Sequence, residues 1–275
     1  MRGWLAAAAL GGIAGGVGTL ALARHRWPYR PELVRVEAAA PPGHSDLAGL
    51  RIGFVTDLHV GPFIRAGDVR RACELLVAER PDLVLLGGDY LSESPRYADE
   101  AAAALAPLVA AAPLGALAVL GNHDYSVGGE RVRLALAAQG IRVLRNEAIA
   151  VRYGAATLWV AGIDETLLGS PDPGGTLAQV PPGGAALVLW HEAQFAEQAA
   201  AHGAFLQLSG HTHGGQVRLP ILGPVGLPIH GDRHVIGWSD ASGMPVYTSR
   251  GVGIYRPPLR VRCAPEVTLV GLVAS

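Results

Sequence analysis

Residues 83–89 of the chain read Leu-Val-Leu-Leu-Gly-Gly-Asp, an apolar run that ends in a glycine pair and a carboxylate. Four consecutive apolar residues bounded by turn-forming residues indicate a short buried strand. The glycine pair lets the backbone turn sharply, so the Asp89 carboxylate can come close to neighbouring groups. The stretch therefore predicts a strand that delivers a polar side chain at its carboxyl end.

The same combination of an apolar run and a polar residue occurs at five places along the chain. Predicted strands over 50–56, 83–86, 116–120, 185–190 and 205–208 are followed, respectively, by Asp57, Asp89, Asn122, His191 and His211. Apolar residues at helical spacing predict helices over 66–80, 98–112 and about 129–139, and the stretch 151–163 is β-rich. This alternation predicts an α/β domain. Because α/β sheets bind ligands at the carboxyl edge of their strands, we expect the five polar residues to form one site.

The side chains at these positions are of the kinds that bind metal ions. Asp57 and His59 lie two residues apart, so in an extended segment both point the same way. His211 and His213 repeat this spacing. A carboxylate such as that of Asp89 has two oxygens and can bridge two cations. The mixture of oxygen and nitrogen donors suits Mn, Fe or Zn.

Composition limits the class of function. The chain has 275 residues, half of them apolar, which suits one large domain with a short extra segment. The formal net charge of −1 argues against a nucleic-acid-binding surface. The two cysteines, Cys73 and Cys263, show no ligand spacing, so neither a thiolate metal site nor a disulfide framework is indicated.

In their order along the chain, these motifs resemble those of the calcineurin-like metallophosphoesterase superfamily. The resemblance covers about residues 50–272 and rests on Asp57-x-His59, Gly88-Asp89, Gly121-Asn122-His123-Asp124, His191 and Gly210-His211-x-His213. The motifs that start at residues 57, 121 and 209, and the stretch 247–253, are also similar to a bacterial branch of membrane-associated or exported phosphodiesterases. Some members of that branch cleave the pyrophosphate of a UDP-linked diacylglucosamine. One departure is Ala193, since proline often follows the Glu192 position in that branch.

The resemblance implies a fold, a cofactor and a mechanism. The fold would be a sandwich of two mixed β-sheets flanked by helices. Two divalent metal ions would be bound, the first by Asp57, His59, Asp89 and His213, and the second by Asp89, Asn122, His191 and His211. A hydroxide between the two ions would attack phosphorus in line with the leaving oxygen.

Three further residues are candidates for catalysis and substrate binding. His123 follows Asn122 but, on the family pattern, does not bind metal, so we expect it to stabilise the phosphate or protonate the leaving group. Asp124 is expected to orient the His123 imidazole. The alternative for His123 is a structural role in a turn. Arg250 is a candidate phosphate contact because its planar fork suits that geometry, although an isolated arginine is more often part of a surface ion pair.

The first 23 residues differ from the rest of the chain. Residues 4–23 carry no charge and are numerous enough to cross a bilayer as a helix. Four arginines lie after this stretch, within residues 24–35, and only one lies before it. By the positive-inside rule, this asymmetry predicts that the catalytic domain lies on the cytoplasmic side of the inner membrane. The alternatives are a cleaved signal peptide ending at residues 21–23, with an exported domain, and a soluble apolar helix. The predicted organisation is an anchor or signal segment over 1–23, a linker over 24–48 and a metallophosphoesterase domain over 49–275.

Residues 219–229, the apolar loop, are rich in proline, glycine and aliphatic residues and follow the last metal motif. An apolar loop beside an active site faces lipid, an apolar ligand or a partner, unless it packs on its own domain. With the N-terminal segment, the loop favours a phosphodiester or pyrophosphate substrate that is lipid-linked or close to a membrane. The alternatives are a phosphodiesterase or nucleotidase with a soluble substrate, a metal-stabilised scaffold without catalysis, and a membrane-tethered partner-binding protein.

Overall fold

The computed structural model describes residues 29–274 of the chain. The apolar helix predicted over 1–23, as an anchor or signal segment, and the first linker residues, 24–28, lie outside the described residues. Within residues 29–274, no helix combines the length and the apolar character needed to cross a membrane.

Two mixed sheets of six strands each form the centre of the fold. The first sheet contains β1 (Glu32–Ala39), β2 (Arg51–Val55), β3 (Leu83–Leu86), β4 (Ala116–Ala118), β5 (Ile141–Val143) and β14 (Glu266–Val273). The strand order is β1-β14-β2-β3-β4-β5, with β14 antiparallel to β2 and all other neighbours parallel. The carboxyl ends of β2, β3 and β4 therefore lie side by side at one edge.

The second sheet has antiparallel strands at both of its edges. It contains β6 (Glu147–Tyr153), β7 (Ala156–Gly162), β8 (Ala185–Leu189), β9 (Leu206–Ser209), β12 (Gly237–Ala241) and β13 (Met244–Thr248). The order is β12-β13-β9-β8-β7-β6, and the four inner strands run parallel to one another. Two short strands, β10 (Arg218–Leu219) and β11 (Gly223–Pro224), form a separate hairpin.

Five helices flank the sheets in the described part of the chain. They are α1 (Ala66–Ala78), α2 (Ala98–Ala111), α3 (Asn122–Ala137), α4 (Pro173–Leu177) and α5 (Ala196–Ala201), and single 3₁₀ turns occur at Ser45–Leu47, Pro95–Tyr97, Ala193–Phe195 and His213–Gly215. The bounds of α1 and α2 agree closely with the predicted helices over 66–80 and 98–112. α3 begins at Asn122 rather than near 129, because a first helical turn precedes a break at Gly128, where φ is 119°.

Alternate residues of the central strands face two different cores. In β3, Leu83 and Leu85 pack between the two sheets, whereas Val84 and Leu86 pack beneath α1, α2 and α3. This division follows from the strict alternation of side chains along a strand. A third core lies between the second sheet and the helices α4 and α5. The molecule is thus layered as helices, sheet, sheet and helices, and the predicted α/β fold with mixed sheets flanked by helices is confirmed.

Part of the segment predicted as a linker belongs to the first sheet. Strand β1 lies within residues 24–48 and pairs in parallel with β14 along its whole length, from Glu32 opposite Glu266 to Ala39 opposite Val273. Apolar and charged residues alternate over residues 34–37 of β1, as expected for an edge strand with one face on the core. The domain therefore includes residues ahead of the predicted boundary at 49.

Candidate metal centre

The polar residues predicted to form a site meet at one edge of the two sheets. Asp57, Asp89 and Asn122 follow β2, β3 and β4 of the first sheet, and His191 and His211 follow β8 and β9 of the second. Six candidate ligands are buried, and Asn122 is half-buried; the six are Asp57, His59, Asp89, His191, His211 and His213. The structure thus brings together all seven residues that the sequence predicted as metal ligands.

The Asp89 carboxylate lies between imidazoles from both sheets. Its Oδ2 is 3.5 Å from His59 Nε2 and 3.3 Å from His191 Nε2. Its Oδ1 accepts a hydrogen bond of 2.9 Å from the His123 backbone N–H. One carboxylate oxygen thus faces both groups of ligand-type side chains, the position from which a carboxylate can bridge two cations.

Two groups of donor atoms surround Asp89. On one side, His59 Nε2 is 2.9 Å from His213 Nε2, and His213 Nε2 is 3.4 Å from Asp57 Oδ1. On the other side, His211 Nδ1 is 3.2 Å from Asn122 Oδ1. Four sets of three residues each have potential ligand atoms that all lie within 4.8 Å of one another. The sets are Asp57–His59–His213, Asp57–Asp89–His191, His191–Glu192–His211 and His59–Asp89–His123.

Backbone carbonyls determine which nitrogen of two rings faces the centre. His191 Nδ1 donates to Gly87 O at 2.7 Å, and His211 Nε2 donates to Ile229 O at 2.8 Å. A carbonyl can only accept, so in each neutral ring the other nitrogen keeps its lone pair. His191 Nε2 is buried and has no hydrogen-bond partner among the described residues. Each ring is therefore oriented as a metal ligand is, with its lone pair toward the centre.

The protonation of the centre suits cation binding. Burial lowers the pKa of His59 to about 3 and that of His211 to about 4, so both rings are neutral at pH 7. Burial alone would raise the pKa of Asp89, but His191 and the neighbouring imidazoles hold it well below its usual value. Burial alone would lower the pKa of His191, but Asp89 raises it well above its usual value, so without a cation this ring holds a proton that cation binding would displace. With that proton displaced, neutral imidazoles, ionised carboxylates and one amide oxygen form a donor set that fits two divalent cations of the Mn, Fe or Zn type.

Several of the candidate ligands also have a strained backbone. Five candidate ligands have a left-handed backbone, with φ of 54° at Asp57, 47° at His59, 55° at Asp89, 69° at His211 and 52° at His213. Residues other than glycine adopt this conformation at a cost of roughly 1–2 kcal/mol each. Such strain persists where surrounding structure imposes it, and here it turns the side chains toward a common point.

His123 lies in the wall of the cavity beside the centre. Its ring contacts the Tyr255 ring at a centroid distance of 4.4 Å and the His59 ring at 4.8 Å. His123 Nδ1 is 3.2 Å from Ser92 O, so this nitrogen is the donor and Nε2 remains for the cavity.

Asp124 has a different role from the one predicted for it. Its Oδ1 accepts from the backbone N–H groups of Tyr90 and Leu91, and its Oδ2 accepts from those of Asp89 and Gly121. Among the described residues, the carboxylate has no hydrogen bond with the His123 ring. Because it is buried beneath two backbone loops that need acceptors, Asp124 fixes the loops that present Asp89 and Asn122 rather than orienting the imidazole.

Arg250 is not brought into the cavity. Its guanidinium forms ion pairs with Glu266 and with Glu32, the latter at 3.1 Å. Both carboxylates belong to strands of the first sheet, so the planar fork is occupied there. The structure therefore places Arg250 in ion pairs rather than in a phosphate contact, but the pair with Glu266 is largely buried and is not the surface ion pair of the alternative.

A cavity of about 310 Å³ opens beside the centre and contains residues that the sequence did not single out. Tyr255, Arg256 and Gln216 line it together with part of the apolar loop. Arg260 is fully buried and donates to the carbonyls of Arg250, Gly251 and Gly253, which holds the loop before it. Gln216 ends the motif that starts at residue 209, although no role was predicted for it. Tyr255, Arg256 and Arg260 belong to no motif with recognisable spacing, so only the folded chain reveals them.

Comparison with known sequences identifies relatives of the chain. The sequence model of the calcineurin-like phosphoesterases matches residues 50–215. The whole chain is 30% identical to the uncharacterized metallophosphoesterase YkuE of Bacillus subtilis, over 96% of that protein. It is 35% identical to the phosphodiesterase YaeI of Escherichia coli, over 82% of this chain and 83% of that protein. A transmembrane protein with metallophosphoesterase domain from Danio rerio is 30% identical, over 88% of this chain and 57% of that protein.

Solved structures share the fold at low sequence identity. A 5′-nucleotidase precursor from Thermus thermophilus superposes with a TM-score of 0.51 at 14% identity, over 82% of this chain and 54% of that chain. The sulfate thiohydrolase SoxB from the same genus superposes with a TM-score of 0.52 at 14% identity, over 86% of this chain and 58% of that chain. The chain thus spans little more than half the length of either structure, and the likeness concerns the fold.

Proposed function

The chain belongs to the calcineurin-like phosphoesterases and is a metal-dependent phosphoric ester hydrolase, and on that premise we propose that it cleaves a phosphodiester or pyrophosphate in a lipid-linked or membrane-proximal substrate. The observation that supports the chemistry is the position of Asp89 Oδ2, 3.5 Å from His59 Nε2 and 3.3 Å from His191 Nε2. A carboxylate in this position would contact both cations of a two-metal centre.

The assignment of ligands follows the two groups of donors around Asp89. The first cation is assigned to Asp57, His59, Asp89 and His213, and the second to Asp89, Asn122, His191 and His211. Two divalent cations held by these residues would supply positive charge to the phosphoryl oxygens and lower the pKa of a bound water. Mn, Fe and Zn suit these ligands equally, and manganese is the ion we would supply first.

The protein's own contribution to the reaction is assigned to His123. Ser92 O accepts from its Nδ1, so its Nε2 is the atom that faces the cavity, and in the imidazolium form Nε2 can donate a proton to the leaving oxygen or a hydrogen bond to the phosphoryl group. Tyr255 packs against the same ring and limits its rotation. Asp124 acts one step further away, since it holds the loops on which Asp89 and His123 lie.

Three features support a substrate at a membrane. Residues 4–23 are uncharged and precede a group of arginines, which favours an anchor at the inner membrane with the catalytic domain facing the cytoplasm. One relative is named as a transmembrane protein, and another as a phosphodiesterase. The apolar loop lines part of the cavity and exposes aliphatic side chains to solvent.

Hydrolysis assays test the proposal at two levels. With added Mn²⁺, the full-length chain should hydrolyse bis(p-nitrophenyl) phosphate, and Asp89→Asn should abolish the activity. Failure of the unmodified chain on this and related aryl phosphates would refute phosphodiesterase activity. A second assay compares a diacyl-linked nucleoside diphosphate in mixed micelles with the free nucleoside diphosphate. A higher kcat/KM for the free compound would favour the soluble-substrate alternative.

A further inference from the structure

The tip of the apolar loop projects into solvent. Strands β10 and β11 pair antiparallel, with Leu219 opposite Gly223, so residues 220–222 form the turn between them. Ile221 is fully exposed, and Leu222 is 76% exposed. Ile229, at the far end of the loop, is 69% exposed. Transfer of such side chains from water to an apolar phase is favourable, so the tip is a surface that gains by being covered.

The same loop forms one wall of the catalytic cavity. Val225, Leu227 and Pro228 line the cavity next to Asn122 and His123. Ile229 O accepts a hydrogen bond of 2.8 Å from His211 Nε2, which ties the end of the loop to a candidate metal ligand. Whatever covers the exposed tip therefore lies at the mouth of the cavity.

Two arginines lie at the base of the loop. Within residues 211–231 the only residue of the Asp, Glu, Lys and Arg types is Arg218. Residues 241–265 contain four arginines, of which Arg250 and Arg256 form ion pairs and Arg260 is buried, which leaves Arg262. The Arg218 backbone N–H donates to Val261 O at 3.0 Å, which places Arg262 beside the base of the hairpin. Arg262 is exposed, and within residues 29–274 neither it nor Arg218 has a salt bridge. An aliphatic tip above unneutralised arginines complements an anionic lipid surface.

The chain enters the described fold beside this surface. Tyr29 Oη donates to Val252 O at 3.2 Å, and the Glu32 backbone N–H donates to Pro265 O at 2.9 Å. These acceptors belong to the segment 250–265, which also contains the contact of Val261 with the hairpin. The first described residues and the base of the apolar loop thus contact the same segment, and the uncharged residues 4–23 precede it in the sequence.

We propose that residues 220–222 insert into the surface of an anionic lipid bilayer, while Arg218 and Arg262 contact its headgroups. The cavity then opens onto the headgroup layer, where the phosphate of a lipid-linked substrate lies. This proposal deepens the proposed function and rests on it for the identity of the substrate, but the insertion can be measured on its own.

An environment-sensitive label at the tip tests the insertion. The native cysteines, Cys73 and Cys263, are buried, so a nitrobenzoxadiazole label can be directed to one introduced cysteine in the full-length chain. Ile221→Cys is the test, and Leu134→Cys is the matched control because Leu134 is an aliphatic residue of α3 that is 50% exposed. On vesicles of phosphatidylcholine and phosphatidylglycerol, we expect the emission at 221 to rise about twofold and shift to the blue, and the emission at 134 to stay constant.

Several outcomes would contradict the proposal. A label at 221 that remains as hydrated as the label at 134 would show that the N-terminal residues alone meet the membrane. A rise in emission that depends on protein concentration without vesicles would show that a second copy of the chain covers the tip. An equal response to vesicles of pure phosphatidylcholine would refute the role of Arg218 and Arg262. Hydrolysis of bis(p-nitrophenyl) phosphate by the same proteins separates the two proposals. Hydrolysis without insertion would contradict only the membrane-docking proposal. Insertion without hydrolysis would contradict only the proposed enzymatic function.

Discussion

His123 lines the cavity but takes no part in the assigned metal ligation. With Nδ1 committed to Ser92 O, its Nε2 is available to the leaving oxygen. Proton transfer from a positioned side chain contributes about 10²- to 10⁴-fold to a rate. We therefore expect His123→Ala to lower kcat by that order while the metal content, measured by inductively coupled plasma mass spectrometry, stays unchanged.

A histidine far from the cavity provides the control for this substitution. His202 is exposed immediately after α5, and His202→Ala should leave both kcat and metal content as they were. If His123→Ala lost its metal but kept its activity per bound metal, His123 would be a ligand rather than a proton donor.

A second prediction at the residue scale concerns Asp124, whose carboxylate accepts hydrogen bonds from four backbone N–H groups. In Asp124→Asn, the amide group can accept at only one of its two ends, and its NH₂ faces backbone donors. We expect the free energy of unfolding, measured with urea, to fall by about 2–3 kcal/mol. Asp99→Asn, which removes an exposed ion pair with Arg131, should cost less than about 1 kcal/mol. An Asp124→Asn chain of unchanged stability but reduced kcat would instead support the predicted action on His123.

At the scale of elements, the loop after β3 depends on the absence of a side chain at Gly88. Its φ is 98°, and a Cβ there would lie 2.6 Å from Gly121 N and 2.9 Å from His191 Nδ1. Gly88→Ala must therefore displace the loop after β4 or the His191 ring, and we expect loss of bound metal together with a lower melting temperature. The measurement is metal stoichiometry after dialysis.

Gly183 separates backbone strain from this close contact. Its φ is 79°, but nothing lies within 4 Å of an added Cβ. Gly183→Ala should cost roughly 1 kcal/mol of stability and retain its metal. Equal metal loss in both variants would show that general destabilisation, rather than the contact at Gly88, empties the centre.

The elements also show what a sequence can predict about such a site. The strand over 83–86 and its Asp89 could be predicted because a buried strand bounded by glycines leaves a local pattern, and parallel strands bring their carboxyl ends to one edge. The pairing of β1 with β14 joins opposite ends of the chain, so no local pattern identifies it. Asp124 follows His123 in sequence, yet the fold turns its carboxylate toward other loops. Arg260 acts through backbone carbonyls, which have no sequence signature.

At the scale of the whole molecule, the candidate metal centre lies where the two sheets meet. The first sheet supplies Asp57, Asp89 and Asn122, and the second supplies His191 and His211. Between the sheets, away from this edge, the contacts are apolar, such as those of Phe54 and Leu187 in the shared core. Cations at the edge would therefore join the sheets by bonds that the core does not provide.

Removal of metal should consequently weaken the whole fold and not only its activity. At a free metal concentration about 100-fold above Kd, each bound ion stabilises the folded state by about 2.7 kcal/mol. For a domain of this size, about 1 kcal/mol corresponds to roughly 2–4 °C, so chelation of two ions should lower the melting temperature by on the order of 10 °C. Differential scanning calorimetry with EDTA, followed by Mn²⁺ or Zn²⁺ in excess, would measure the fall in melting temperature and its recovery.

Asp89→Asn provides the control, because a chain without the bridging carboxylate should melt at nearly the same temperature with EDTA and with Mn²⁺. A shift of the same size in both proteins would place the stabilising ions outside the Asp89 site, since only ions held by Asp89 connect the strand ends of the first sheet to the histidines of the second.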